Sequence, residues 1–294
     1  MFRNTMKTGV LLASLGGLIV AVAGLLGGGS SGARTVGVAI ALVVVGGSYW
    51  FSDRLALRSA RAQVIGEADH PELYGIVRDL SRRAGLPMPK VALSPSDQPN
   101  AFATGRNPRH AVVCATTGLL RTLPRDEVEA VMAHELMHVK HRDILIGSVA
   151  AAIATAISYV AQMAMFASMF GGGSDDEDRP NPIAVLALSL LAPIAATLIQ
   201  MAVSRSREFE ADRGAAELLG DARPMARALQ RIDALAARHP MAVAPAQAQA
   251  YIHDPLAELR ARRGGGPDMA RLFSTHPSTE ERIRRLAQLE LSVR

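Results

Sequence analysis

Cysteine occurs once in the 294 residues, so no internal disulfide can form. Cys114 lies in the apolar run Ala111-Val112-Val113-Cys114-Ala115, which reads as core. A catalytic thiol needs an electropositive, accessible setting that this run does not offer. Aromatic residues are only 4% of the chain and are not interleaved with basic ones; with no binding motif, this argues against a nucleic-acid surface. Aliphatic residues and glycine dominate instead, and they gather into four apolar stretches, about 9–26, 36–51, 144–170 and 183–203.

Crossing a bilayer as a helix takes roughly twenty apolar residues. The third stretch is long enough, and the fourth fits with a kink at Pro193. The first two are shorter; Gly16, Gly17, Gly46 and Gly47 suit close helix packing there. Arg3 and Lys7 before the first stretch also suit a cleaved signal peptide. The second stretch favours a retained hairpin, with Tyr49 and Trp50 placed as interface aromatics. Basic residues set the orientation: Arg3 and Lys7 precede the first span, Arg54, Arg58 and Arg61 follow the second, and Arg205 and Arg207 follow the fourth. These juxtamembrane arginines contribute to the net charge of +5 and have some attraction for anionic lipid. The acidic run Asp175-Asp176-Glu177-Asp178 separates spans three and four. The expectation is a multi-pass protein of the cell (inner) membrane, with both termini in the cytoplasm and the acidic loop outside. The alternative for spans three and four is a hairpin buried in the protein body.

The richest motif is His134-Glu135-Leu136-Met137-His138. On a helix the two imidazoles lie one turn apart on one face and can hold a single zinc ion. Glu135 sits one step round, within reach of a water activated by that ion. Pro124, Asp126 and Glu127 mark the helix start, and Val128, Met132, Leu136 and Val139 form an apolar stripe. The expected arrangement is a helix packed on a core, with its histidine edge facing a cleft. A solvated surface helix is the plainer alternative. An intramembrane site is opposed by Arg125, Asp126, Glu127, Glu129, Lys140 and Arg142 around the motif.

A catalytic zinc takes three protein ligands plus water. His141 lies too close along the same helix to wrap the metal well, and suits a helix C-terminus. The better candidate is Glu208. Residues 207–219 read as a helix stopped by Gly220, with Glu208 and Asp212 on the side of Ala215, Ala216 and Leu219. Carboxylates on an apolar side need a partner. Zinc supplies one for Glu208, and Asp212 suits the spare N–H of a ligand histidine. The simpler reading pairs Glu208 with Arg205 or Arg207 at the surface.

His-Glu-x-x-His followed by Glu-x-x-x-Asp, with hydrophobic hairpins around both, resembles the HtpX family of membrane zinc metalloproteases, relatives of the CAAX prenyl endopeptidases. Asn100-Ala101-Phe102-Ala103-Thr104-Gly105 and Ser274-Thr275-His276-Pro277-Ser278-Thr279-Glu280-Glu281-Arg282 extend the resemblance over essentially the whole chain. It implies one zinc per chain held by His134, His138 and Glu208, with Glu135 as catalytic base and Asp212 behind the ligands. It also implies that His276 and Arg282 approach the site as catalytic groups, that Asn100, Ala101, Phe102 and Ala103 bind substrate, and that the substrates are misfolded or damaged membrane proteins. The alternative function is a non-enzymatic membrane scaffold or chaperone with a structural zinc, which has no need of Glu135.

The expected fold is α+β, mainly α: a multi-pass helical membrane protein with a zincin-type protease domain carrying a small β-sheet. The divisions are an N-terminal hairpin (1–55), a first protease part with the zinc helix (56–143), a second hairpin (144–203) and a second protease part (204–294). Helices are expected at 71–84, 224–238 and 278–291, the last with Ser278 and Glu281 as a capping box. Strands are expected at 91–93, 101–104 and 110–115, and irregular chain at 239–267. An exposed strand edge near the zinc helix offers a substrate peptide a place to add as another strand.

Overall fold

The computed structural model describes residues 30–144, 206–236 and 277–293, with scattered positions between 13 and 24. The apolar stretches 9–26, 144–170 and 183–203 and the segment 239–267 lie wholly or nearly outside these residues, as does His276.

The elements, in order, are α1 (Ser31–Trp50), α2 (Ser52–Ser59), β1 (Gln63–Ile65), α3 (Pro71–Ala84), β2 (Lys90–Ser94), β3 (Ala101–Gly105), β4 (Ala111–Thr116), α4 (Thr117–Thr122) and α5 (Arg125–His141). After the undescribed insertion come α6 (residues 206–219), α7 (Arg223–Ala236) and α8 (Thr279–Val293). The described chain is mainly helical with one small mixed sheet, in the order β1-β2-β4-β3. β2 and β4 run parallel, and the two outer pairings are antiparallel.

Every residue of β4 is buried, because both faces of the sheet are covered. Val91, Ala101, Val113 and Ala115 face the main core with α3 and α5, while Ala92, Phe102, Val112 and Cys114 pack against Ala56, Leu57 and Ala60 on the α2 side. Two-sided burial explains why this strand reads as a continuous apolar run without alternation. It also pushes the Cys114 thiol up to about 12, leaving it protonated at neutral pH.

Local signals account for the helix ends. Pro71 opens α3, His70 Nδ1 accepts from Leu73 N at 3.2 Å, and Gly85 closes it at φ 69°. Ser278 Oγ accepts from Glu281 N at 3.2 Å at the start of α8. The Glu281 carboxylate turns to Arg285 at 2.8 Å.

α5 departs from the expected one-sided packing. It is the central helix, against α3, α7, β3 and β4, and its buried residues include Glu127, His134 and Glu135 as well as the apolar stripe. Glu127 tolerates this because it is partnered. Glu127 is only 1% exposed, and Arg231 on α7 meets its carboxylate at 2.9 Å.

Among the described residues, no single helix is long and apolar enough to cross a membrane. The segments Arg34–Gly47 and Ser52–Ser59 pass that test together, bent by 72°. α1 leaves Val36, Leu42 and Val43 exposed.

Candidate active site

Two helices bring the chemistry together from opposite sides of the insertion. On α5, His134 and His138 stand one turn apart with Nε2 atoms separated by 3.1 Å. On α6, Glu208 places Oε2 at 3.6 Å from His134 Nε2 and Oε1 at 3.6 Å from His138 Nε2. The helices pack closely at Gly214, where an added Cβ would meet Met137 Sδ at 2.8 Å.

This donor set fits zinc. One nitrogen from each imidazole and one carboxylate oxygen lie within 4.8 Å of one another. Ligands bonded tetrahedrally at 2.0–2.1 Å stand about 3.3 Å apart, close to the three separations observed. Two imidazoles and a carboxylate are also a recognised catalytic zinc set that leaves a fourth position open. His141 ends α5 and is not in the cluster.

Each histidine is backed by an acid. His134 Nδ1 lies 2.9 Å from Asp212 Oδ1, so Asp212 can fix the tautomer that turns Nε2 toward the shared point. His138 Nδ1 lies 3.2 Å from Asp143 Oδ2. Arg282 on α8 braces the first of these acids: Nε and Nη2 donate to the two Asp212 oxygens at 2.8 and 2.7 Å. Nη1 stands 3.6 Å from Glu208 Oε2. Arg282 is thus brought to the site, as the resemblance implies, and it stands there as a buried clamp with two of its nitrogens on a carboxylate. Of the two arginines in the simpler surface reading, Arg205 lies outside the described residues, and Arg207 Nη1 donates to the Asp143 carbonyl at 3.1 Å.

Asp143 is the site residue that sequence reasoning missed. Arg142, at φ 58°, turns the chain back after α5, and the Asp143 N–H donates to the His138 carbonyl at 3.2 Å. That turn brings its carboxylate to the Nδ1 edge of the His138 ring. An acid five residues beyond the second histidine was the available signal. Asp143→Asn is expected to weaken zinc binding about 10–100-fold while the protein stays folded; competition with a chromophoric chelator measures it.

The electrostatics favour a dication. Glu135, Asp143, Glu208 and Asp212 are buried, and Arg207 and Arg282 are the guanidiniums among them. Four carboxylates less two cations leave two negative charges. Burial opposes charge on His134, yet hydrogen bonds to Asp212 and Glu208 outweigh it and raise its pKa to about 10. Burial opposes charge on His138 as well, and Asp143 and then Glu208 overcome it, so its pKa is also raised. His134 therefore favours the protonated form in the metal-free protein at pH 7. Zinc binds neutral imidazole only, so loading at pH 7 is expected to release at least about one proton, that of His134. Affinity should climb as pH rises toward about 10 and level off once His134 is neutral. Calorimetry in buffers of different ionisation enthalpy counts the protons.

Glu135 is 5% exposed. Burial raises its pKa above the usual carboxylate range, against the pull of His138 and His134. Of the remaining expected site residues, Asn100 is buried and exchanges main-chain contacts with Thr116: its N–H donates to Thr116 Oγ1 at 2.9 Å, and its carbonyl accepts from Thr116 N at 2.9 Å. Ala101, Phe102 and Ala103 lie on β3, an edge strand that packs beside α5.

Known proteins share this arrangement of sequence. The model of peptidase family M48 matches residues 67–290. The Protease HtpX homolog of Paraburkholderia phytofirmans is 51% identical over 289 residues, covering 97% of each chain. That of Burkholderia mallei is 51% identical over 290 residues, again covering 97% of each. The fold is similar to the crystal structure of S. mikatae Ste24p, with a TM-score of 0.51 and 21% identity, over 97% of this chain and 65% of that one. The chain belongs to peptidase family M48, as an HtpX-like metalloprotease.

Proposed function

We propose that this metalloprotease is a membrane-anchored zinc endopeptidase that cuts misfolded or damaged membrane proteins in protein quality control. The observation that carries the reading is the convergence of His134, His138 and Glu208 on one point, with a buried Glu135 on the same helix.

His134, His138 and Glu208 hold one zinc per chain. Bound zinc supplies Lewis acidity, lowering the pKa of a water from 15.7 toward about 7. Glu135 takes the proton of the attacking water and delivers it to the leaving amine. Asp212 and Asp143 hold the two imidazoles in register, and Arg282 acts through Asp212. His276 is assigned to the oxyanion as a hydrogen-bond donor. A substrate segment adds to the β3 edge along Asn100, Ala101, Phe102 and Ala103, where main-chain hydrogen bonds fix the scissile bond with little demand on sequence.

The four divisions of the chain keep the boundaries 1–55, 56–143, 144–203 and 204–294, two hairpins in the inner membrane alternating with two halves of the protease. The zinc site and both termini face the cytoplasm, on the side of Arg54, Arg58 and Arg61.

The test is purification of the full chain in detergent with chelator present, followed by zinc repletion. An unfolded membrane polypeptide should be cut internally once about one zinc per chain is restored, with products identified by mass spectrometry. Full zinc loading without cleavage would favour a scaffold with a structural metal.

A further inference from the structure

We propose that the α1–α2 junction, together with the β3–β4 turn, is a docking surface for the headgroups of anionic phospholipids. The proposal rests on the membrane reading above and adds a site and a lipid class to it.

α2 has two distinct faces. Ala56 and Leu57 pack on the sheet, and the Ser52 carbonyl accepts from Thr104 Oγ1 at 3.5 Å. On the opposite side Phe51, Arg54, Leu55 and Arg58 recur at one helical face, and all four are exposed. Apolar and cationic side chains sharing one exposed helix face suit a helix lying in the interfacial plane. The 72° bend from the preceding apolar segment sets α2 in that plane when α1 runs into the bilayer.

The sheet brings a second element to the same level. Between β3 and β4, Asn107 Oδ1 accepts from Arg109 N at 3.0 Å and His110 N at 3.2 Å, which fixes the turn. Arg106 in this turn lies over the Trp50 ring at 4.8 Å, and Arg54 over the Phe51 ring at 5.5 Å. Cations and aromatic rings from two separate parts of the chain therefore share one surface.

The charges on this surface are uncompensated. Among the described residues, Arg54, Arg58, Arg61, Arg106 and Arg109 form no ion pair with a carboxylate. Elsewhere Arg78, Arg121, Arg213 and Arg223 each hold one. An acidic protein would answer the charge, but not the exposed Val36, Leu42 and Val43 of the adjoining helix. An anionic phospholipid layer answers both, offering phosphates to the arginines and acyl chains to α1. Because β3 runs directly into this turn, docking holds the outer strand of the sheet near the bilayer surface, where a segment leaving the membrane first meets it.

Trp50 is the sole tryptophan of the chain, so it reports on this surface alone. The full chain is reconstituted in phosphatidylcholine–phosphatidylglycerol nanodiscs, with bromine carried on one lipid or the other at equal mole fraction. Brominated phosphatidylglycerol should quench Trp50 about twofold more than brominated phosphatidylcholine. Arg54→Gln/Arg58→Gln/Arg106→Gln should equalise the two without changing zinc content. Equal quenching in the unmodified protein overturns the lipid preference and leaves the membrane reading standing. No quenching by either lipid overturns both. Quenching in discs with one copy, lost in discs with two, assigns the surface to a second copy and overturns the proposal.

Discussion

Glu208→Ala should abolish stable zinc binding, while Glu210→Ala should retain about one zinc per chain. The two acids are two residues apart on α6 and differ in what they face. Glu208 is 6% exposed, with an oxygen 3.6 Å from each ligand imidazole, whereas Glu210 is exposed on the outer side. Changing a group behind a zinc ligand costs about 10–100-fold in affinity, so losing a ligand should exceed that range. The substitution also removes a negative charge from beside Arg282, whose bonds to Asp212 at 2.7 and 2.8 Å remain to hold α8 in place. The variant should therefore lose metal before it loses its fold. Zinc analysis after dialysis, paired with thermal unfolding, separates the two effects. Zinc loss from Glu210→Ala with retention in Glu208→Ala would mean the wrong acid has been assigned.

Glu135→Gln should lower the cleavage rate about 10²–10⁴-fold with zinc content unchanged. Glutamine keeps the volume and hydrogen-bonding reach of the side chain but cannot accept and return a proton. The site should tolerate the neutral replacement well, because burial already raises the Glu135 pKa and disfavours its charge. The defect is expected in turnover rather than in substrate affinity, since a base contributes in the transition state. Rates on an unfolded membrane polypeptide, beside metal analysis of the same preparation, give both quantities. Full activity in this variant would remove Glu135 from the mechanism.

The features legible in the sequence are those that follow a helical period. His134 and His138 are four residues apart on a helix, as are Glu208 and Asp212, and the structure sets these two rows face to face. Strands β2, β3 and β4 were visible as short apolar runs; the structure extends β2 by two residues and β3 by one, and shifts β4 by one. Asp143 was not visible because it lies past the helix end, where no face can be assigned; the left-handed turn at Arg142 places it. The role of Arg282 depends on a contact spanning 70 residues of sequence, which no local pattern encodes. The burial of α5 was hidden for a related reason. Glu127 looks like a surface residue until Arg231, 104 positions later, arrives to neutralise it. β1 escaped notice because it is three residues long and has Val64 exposed at its centre.

Crystals of the zinc-loaded protein, measured on both sides of the zinc absorption edge, test the central geometry directly. The expected result is one anomalous peak at about 2.0–2.2 Å from His134 Nε2, His138 Nε2 and a Glu208 oxygen. A peak bound by the two histidines with the Glu208 carboxylate turned away, or a peak elsewhere, would contradict it.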